Sequence, residues 1–306
     1  MEALVLETVT GPIGRDGFTR ALAHEHLFAD FLGPDHPDYC RVDWEEVRAA
    51  CVDGLGEVRG EGVDLLVECT GIGIGRNVHL LGAVSAATSV SIVCATGIYK
   101  ALRPPELADA SPEELAALFA DELTVGIEDT GVRAGFIKLA TSDSGPTEEE
   151  TTIHRAGAMA AVEAGAAIAL HSPQAGALRT VLRTLEGEGF APARLVWVHA
   201  QESSLAENLE MASRGVTISL DAIGTSNDGE MLDRIEALAE TGGQVVLSSD
   251  NTFVVHPPEL AYERDITYLD RRFAEMVEAC CGADFLDAVR RDNVLRAYGH
   301  PLAADR

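Results

Sequence analysis

Apolar, β-branched runs recur along the chain at Thr19–Ala23, Leu65–Cys69, Val90–Ala95, Gly135–Leu139, Ala167–Leu170, Leu195–Val198, Val216–Leu220 and Val245–Leu247. Each is short and nearly continuous rather than alternating, the pattern of a strand covered on both faces. Between them lie longer stretches with helical spacing. Ser111-Pro112-Glu113-Glu114 supplies an N-cap, a proline at the first helical position and a capping glutamate, and Thr147-Glu148-Glu149-Glu150 forms a second capping box. Eight strand–helix alternations in 306 residues predict an α/β fold, a (β/α)8 TIM barrel. The helical tail Ile266–Tyr298 would close the ring. Residues 1–18 precede the first barrel strand and are expected to form a small hairpin, with Gly11-Pro12 and Asp16-Gly17 as turn residues. No Pro/Gly/Ser-rich linker interrupts the pattern, so one domain is expected over 1–306, with the barrel at 19–300.

Composition narrows the partners. The chain carries 23 Lys+Arg against 50 Asp+Glu, a formal charge of −27. That excess repels phosphate backbones and anionic lipid, so neither nucleic acid nor membrane is an expected partner. No apolar run approaches the ~18 residues of a membrane span. Met1-Glu2-Ala3-Leu4 lacks the basic start of a signal peptide. Cys40, Cys51, Cys69, Cys94, Cys280 and Cys281 form no CxxC pair and no disulfide framework. The expectation is a reduced, soluble, cytoplasmic protein, with adjacent Cys280 and Cys281 serving only helix packing.

Candidate chemistry sits where the apolar runs stop. Ala23-His24-Glu25-His26 ends the first run, and in a strand His24 and His26 share a face. Alone, such a pair is as readily two incidental histidines as two ligands. Lys138 ends the fourth run, His171 the fifth, His199 the sixth and Asp250 the eighth. Six polar side chains then lie at the C-terminal ends of five strands, the face where barrel enzymes build their sites. Buried there without partners, a lysine and a carboxylate would be costly, and metal ions supply the partners.

These residues resemble the metal-ligand set of the phosphotriesterase family in the amidohydrolase superfamily. Gly11-Pro12-Ile13, the segment Glu68-Cys69-Thr70-Gly71-Ile72-Gly73-Ile74-Gly75-Arg76-Asn77-Val78, Ala95-Thr96-Gly97-Ile98-Tyr99 and Asp292-Asn293-Val294-Leu295-Arg296 are similar to other segments of that family. The similarity runs from about residue 10 to 300. It implies two divalent transition-metal ions, zinc ahead of cobalt, manganese, nickel or iron, bridged by a carbamate formed on Lys138 from carbon dioxide. His24, His26 and Asp250 would hold one ion, His171 and His199 the other. Imidazole ligands suit such metals better than calcium or magnesium. A hydroxide between the ions would attack the substrate and Asp250 would accept the proton. The resemblance also implies that Tyr99 lies beside the substrate oxygen and that Glu202 is an acidic proton relay. Their plainer readings are a rim aromatic and a helix-start acid.

Asp221, at the end of the seventh run, could buttress a ligand. The next position is a departure, because Ala222 stands where lactone- and phosphotriester-cleaving relatives carry a basic residue. His36 and His256 could line the pocket, while His79, His154 and His300 read as structural. Gly71-Ile72-Gly73-Ile74-Gly75 invites a dinucleotide reading, but its spacing is GxGxG, and no acid stands some twenty residues on. The expected function is a binuclear metal-dependent hydrolase of a small carboxylic ester or lactone. The alternatives are an amidase or deacylase on a small N-acyl compound, a phosphotriester hydrolase, and a catalytically silent metal-barrel binding protein. The expected partners are a small-molecule substrate and a second copy of the chain in a homodimer. Specificity is expected in residues 27–43, 99–110, 222–232 and 251–265.

Overall fold

The computed structural model describes residues 4–225, 227–261 and 264–301. Met1–Ala3 of the expected hairpin segment, and Ser226, Tyr262 and Glu263 of the expected specificity segments, lie outside the described residues. Strand β1 (Leu4–Thr8) pairs antiparallel with β2 (Gly11–Gly14), Leu6 opposite Ile13, which is the expected hairpin. The barrel strands follow: β3 (Ala21–Asp30), β4 (Leu65–Glu68), β5 (Ser91–Val93) continued by β6 (Ala95–Thr96), β7 (Phe136–Ala140), β8 (Ile168–His171), β9 (Leu195–Val198), β10 (Thr217–Leu220), and β11 (Val245–Leu247) continued by β12 (Thr252–His256). All pair in parallel, in the arcs β12-β3-β4-β5 and β6-β7-β8-β9-β10-β11. The ring closes where Asp250 N donates to the His24 carbonyl (3.2 Å) and His26 N to that of Asn251 (2.8 Å). The fold is a TIM barrel with an N-terminal hairpin, to which β13 (His300–Pro301) adds a third strand against β1.

Helices lie outside the barrel. Both expected capping boxes form, at Ser111/Glu114 on α3 (Pro112–Thr124) and Thr147/Glu150 on α4 (Glu148–Ala164). No helix among the described residues is long and apolar enough to cross a membrane.

Strand alternation sorts the core. Leu66, Ile137, Leu139, Ile168, Leu170 and Trp197 face the helices, whereas Leu65, Val67, Phe136, Ala169, Val196 and Val198 fill the barrel. Leu6, Phe18, Val294 and Tyr298 join that inner cluster, and the Tyr298 hydroxyl donates to the Ala23 carbonyl at 2.9 Å. The interior is therefore plugged from the hairpin side, and a site has room only at the opposite, C-terminal mouth.

The first strand needs correction. It does not stop at the histidines but runs on to Asp30, and its register against β4 shifts between Leu22 and Glu25. Ala21 and Ala23 already face the interior, so strict alternation would send Glu25 inward. The irregularity resets the parity, and His24 and His26 line the mouth instead.

Candidate metal centre

His24, His26, Lys138, His171, His199 and Asp250 meet around one cavity of about 90 Å³ at the C-terminal mouth. Their places on the strands differ from the expectation in detail. Lys138 lies in the middle of β7, facing inward with Phe136. His171 closes β8. His199 and Asp250 lie just beyond β9 and β11, both with left-handed backbone (φ 64° and 50°). Lys138 Nζ is 3.3 Å from His24 Nε2. Asp250 Oδ1 is 3.5 Å from Nε2 of both His24 and His26. The ring centroids of His171 and His199 are 4.5 Å apart, and His24 lies 5.3 Å from His26 and from His199.

A second layer fixes how the imidazoles point. Asp221, fully buried, lies 3.1 Å from His24 Nδ1 and 2.8 Å from His199 Nδ1, and accepts from His199 N, Ser219 Oγ and Gln201 Nε2. Thr70 Oγ1 is 2.8 Å from His26 Nδ1 and donates to Glu68. With Nδ1 engaged behind each ring, the Nε2 atoms of His24 and His26 face Asp250. Metal-site histidines are oriented in this way by carboxylates and hydroxyls. Asp221 is thus better placed to support the histidines than to act as a ligand itself. Glu25, between the two histidines in sequence, turns away from the cavity and accepts from Ser248 Oγ (2.7 Å), Ser249 N (2.9 Å) and Asn251 N (2.5 Å). It thereby clamps the turn that carries Asp250. Arg264 reaches the same turn, donating to the Ser249 and Asp250 carbonyls and lying 3.7 Å from Asp250 Oδ2.

The electrostatics suit a cation. Burial, then Lys138, lowers the His24 pKa to about 3, and burial, then His199, lowers that of His171 to about 2. Both rings are neutral at pH 7, with a lone pair to offer. For Asp250, burial raises the pKa, but His24, His26 and His199 outweigh it and bring it to about 2. Burial likewise opposes ionisation of Asp221, and its two histidines overcome this. For His199, burial lowers the pKa while Asp221 more than compensates. Burial raises Glu25 to about 8 against its three hydrogen bonds. The neutral rings of His24 and His171, the ionised Asp250 and the nitrogen atoms of His26, His199 and Lys138, facing one small cavity, are a donor set for divalent metal. The potential ligand atoms of His24, His26 and Asp250 lie within 4.8 Å of one another.

Tyr99 lines the cavity, its ring 5.4 Å from that of His171. Glu202 is exposed on the turn Ala200–Glu202, and its neighbour Gln201 makes the contact with Asp221. Ala222 packs partly buried against the core. His36 is exposed and accepts from Asp38 N, and His256 lies on β12; neither lines the cavity. His154 is buried against the Ala140 carbonyl, His79 is exposed on α2 (Val78–Thr88), and His300 lies 3.5 Å from Glu7. Cys280 and Cys281 end helix 274–281 as free thiols. The glycines of the GxGxG stretch let two loops touch. A Cβ on Gly73 (φ 93°) would meet the Leu102 carbonyl, and one on Gly71 the Gly97 carbonyl at 3.0 Å. They seat the segment that carries Tyr99.

The sequence pattern of the phosphotriesterase family matches residues 4–270. The chain belongs to this family. A phosphotriesterase homology protein of Mycobacterium tuberculosis is 32% identical over 264 residues, 80% of each chain. An aryldialkylphosphatase of Saccharolobus solfataricus is 32% identical over 215 residues, 68% of this chain and 67% of the relative. An N-acetyltaurine hydrolase of Bos taurus is 24% identical over 281 residues, 78% of this chain and 80% of the relative. As a member of this family the chain is a metal-dependent hydrolase of small substrates.

Proposed function

We propose that the enzyme hydrolyses a small carboxylic ester or lactone, with a small N-acyl amide as the second reading and a phosphotriester third. The lining of the cavity carries this reading, because it includes a phenol that can hydrogen-bond a carbonyl or ring oxygen. Ala29, Phe31 and Ile74 make one wall apolar, and Tyr99 offers a phenol at the edge of His171. The amide reading has the support of relatives named N-acetyltaurine hydrolase.

In this reading His24, His26 and Asp250 hold one divalent ion and His171 and His199 the other, zinc being the first candidate. Lys138, buried and shielded from solvent, joins them as a carbamate: its amine forms a bond to carbon dioxide and releases a proton. Two such ions supply Lewis acidity, polarising a carbonyl and acidifying water. Asp250 takes the proton released as water adds to the carbonyl. Tyr99 donates to the ring or carbonyl oxygen of the substrate. Glu202 receives the proton further out, at the exposed end of the Asp221–Gln201 side. Without a basic side chain at Ala222, neutral homoserine-type lactones are poor substrates, and Ala222→Arg raises activity on them.

A metal-reconstituted screen across esters, lactones, N-acyl amines and aryl phosphotriesters tests the proposal. The expected result is the highest kcat/KM on an ester or lactone. A chain that turns over only phosphotriesters overturns it.

A further inference from the structure

We infer that Lys100 selects substrates bearing a carboxylate, binding that group at the mouth of the cavity. This inference deepens the proposed ester, lactone or amide hydrolysis and rests on it for the reacting bond.

Lysine usage points to this residue first. Of the 23 basic residues, 21 are arginine and two are lysine, Lys100 and Lys138. Arginine is the default cation of this chain, and a compact ammonium on a flexible stem differs from a planar guanidinium in what it can bind. One of the two lysines is the buried amine of the metal centre. The other directly follows Tyr99, which lines the same cavity, and its Nζ lies 5.8 Å from the Tyr99 ring centroid.

Its surroundings leave it available. The chain holds 50 acids, and arginines such as Arg76, Arg133, Arg179 and Arg290 are paired with them. Lys100 is half-buried and has no hydrogen bond or ion pair among the described residues. Arg264, beside the centre, is engaged with the Asp250 turn. Ala222 puts no charge on the seventh strand's side.

The backbone is built to hold it there. Lys100 has φ 50°, a left-handed conformation that is unfavourable for a non-glycine residue. Its neighbours keep it so: Tyr99 N donates to the Ile72 carbonyl (3.1 Å), Leu102 N to that of Tyr99 (3.1 Å), and Gly73 admits the Leu102 carbonyl. Strain kept at the edge of a site points to a role there. In a protein of charge −27 an anion is repelled at long range, so a cation at the mouth is what lets an anionic substrate dwell.

The test pairs isosteric substrates on the metal-loaded enzyme: N-acetylglycine against N-acetylglycinamide, and mono-4-nitrophenyl succinate against 4-nitrophenyl succinamate. The expected result is a kcat/KM at least tenfold higher for the anionic member of a pair that is turned over, expressed mainly in KM. Lys100→Met is expected to reduce that ratio at least tenfold and Lys100→Arg to restore part of it. A second arm does not need turnover. Amine acylation by N-hydroxysuccinimidyl acetate, mapped by mass spectrometry, is expected to modify Lys100, with N-acetylglycine protecting it and N-acetylglycinamide not. Preference for the neutral members, a ratio untouched by Lys100→Met, or equal protection by both amides overturns the inference. If no ester, lactone or amide is hydrolysed, the proposed substrate class fails and the labelling arm still decides Lys100.

Discussion

His24 and His199 share one carboxylate: Asp221 lies 3.1 Å from Nδ1 of the first and 2.8 Å from Nδ1 of the second. The two imidazoles come from β3 and from the end of β9, and one buried group sets the orientation of both. Asp221→Asn replaces an acceptor by an amide and leaves both tautomers unspecified. Loss of such a partner costs about 10–100-fold in metal affinity. Competition of the variant with a chelator for zinc is expected to show a loss on that scale. An affinity equal to that of the parent would mean that the histidines are oriented by something else.

Glu25 acts on the metal site from behind. Its side chain accepts from Ser249 N and Asn251 N, on either side of Asp250. Glu25→Ala orphans both donors in a buried turn, at ~1–3 kcal/mol each. The expected outcome is a lower urea midpoint and weaker metal binding, with Glu25→Gln milder because its carbonyl oxygen still accepts. Metal binding unchanged in the alanine variant would remove Glu25 from the support of Asp250.

Gly73, packed against the segment that carries Tyr99, and Gly82 make an opposed pair of predictions. Gly73 has φ 93°, and a Cβ there meets the Leu102 carbonyl; Gly82 lies on α2 with nothing within 4 Å of such an atom. Gly73→Ala is expected to displace the 99–103 segment and lower both thermal stability and kcat/KM. Gly82→Ala is expected to stabilise the protein by roughly 0.5–1 kcal/mol. Calorimetry on the two variants checks the signs.

Burial lowers the His154 pKa from 6.5, outweighing the Ala140 carbonyl and Glu150. The folded protein therefore holds this ring neutral where the unfolded chain already binds a proton. Its contribution to stability is complete above pH 6.5 and falls as the pH drops through 6.5 toward the folded pKa. Each pH unit across that window is worth at most about 1.4 kcal/mol. Urea midpoints at pH 7.5 and 5.5 are expected to differ less in His154→Gln than in the parent.

The barrel was legible in the sequence because its strands are covered on both faces and stand out as apolar runs. The ends of those runs were harder to read. His24-Glu25-His26 resembles a strand end, yet β3 continues to Asp30, since Glu25 is satisfied by Ser248, Ser249 and Asn251. Thr252–His256, expected within a loop, pairs with β3. The candidate ligands were visible because each falls at or near the end of a run. Glu25, Thr70 and Gln201 were not singled out as supports, because their partners lie far along the chain and no spacing announces them. Lys100 was hidden for a different reason: a single lysine carries no motif, and its meaning comes from the cavity beside it.

Elemental analysis of protein purified without chelator is the most direct test of the binuclear centre. Two divalent transition-metal ions per chain are expected, with both reduced in Lys138→Ala. No bound metal, together with no activity recovered on adding zinc or manganese with bicarbonate, would contradict it.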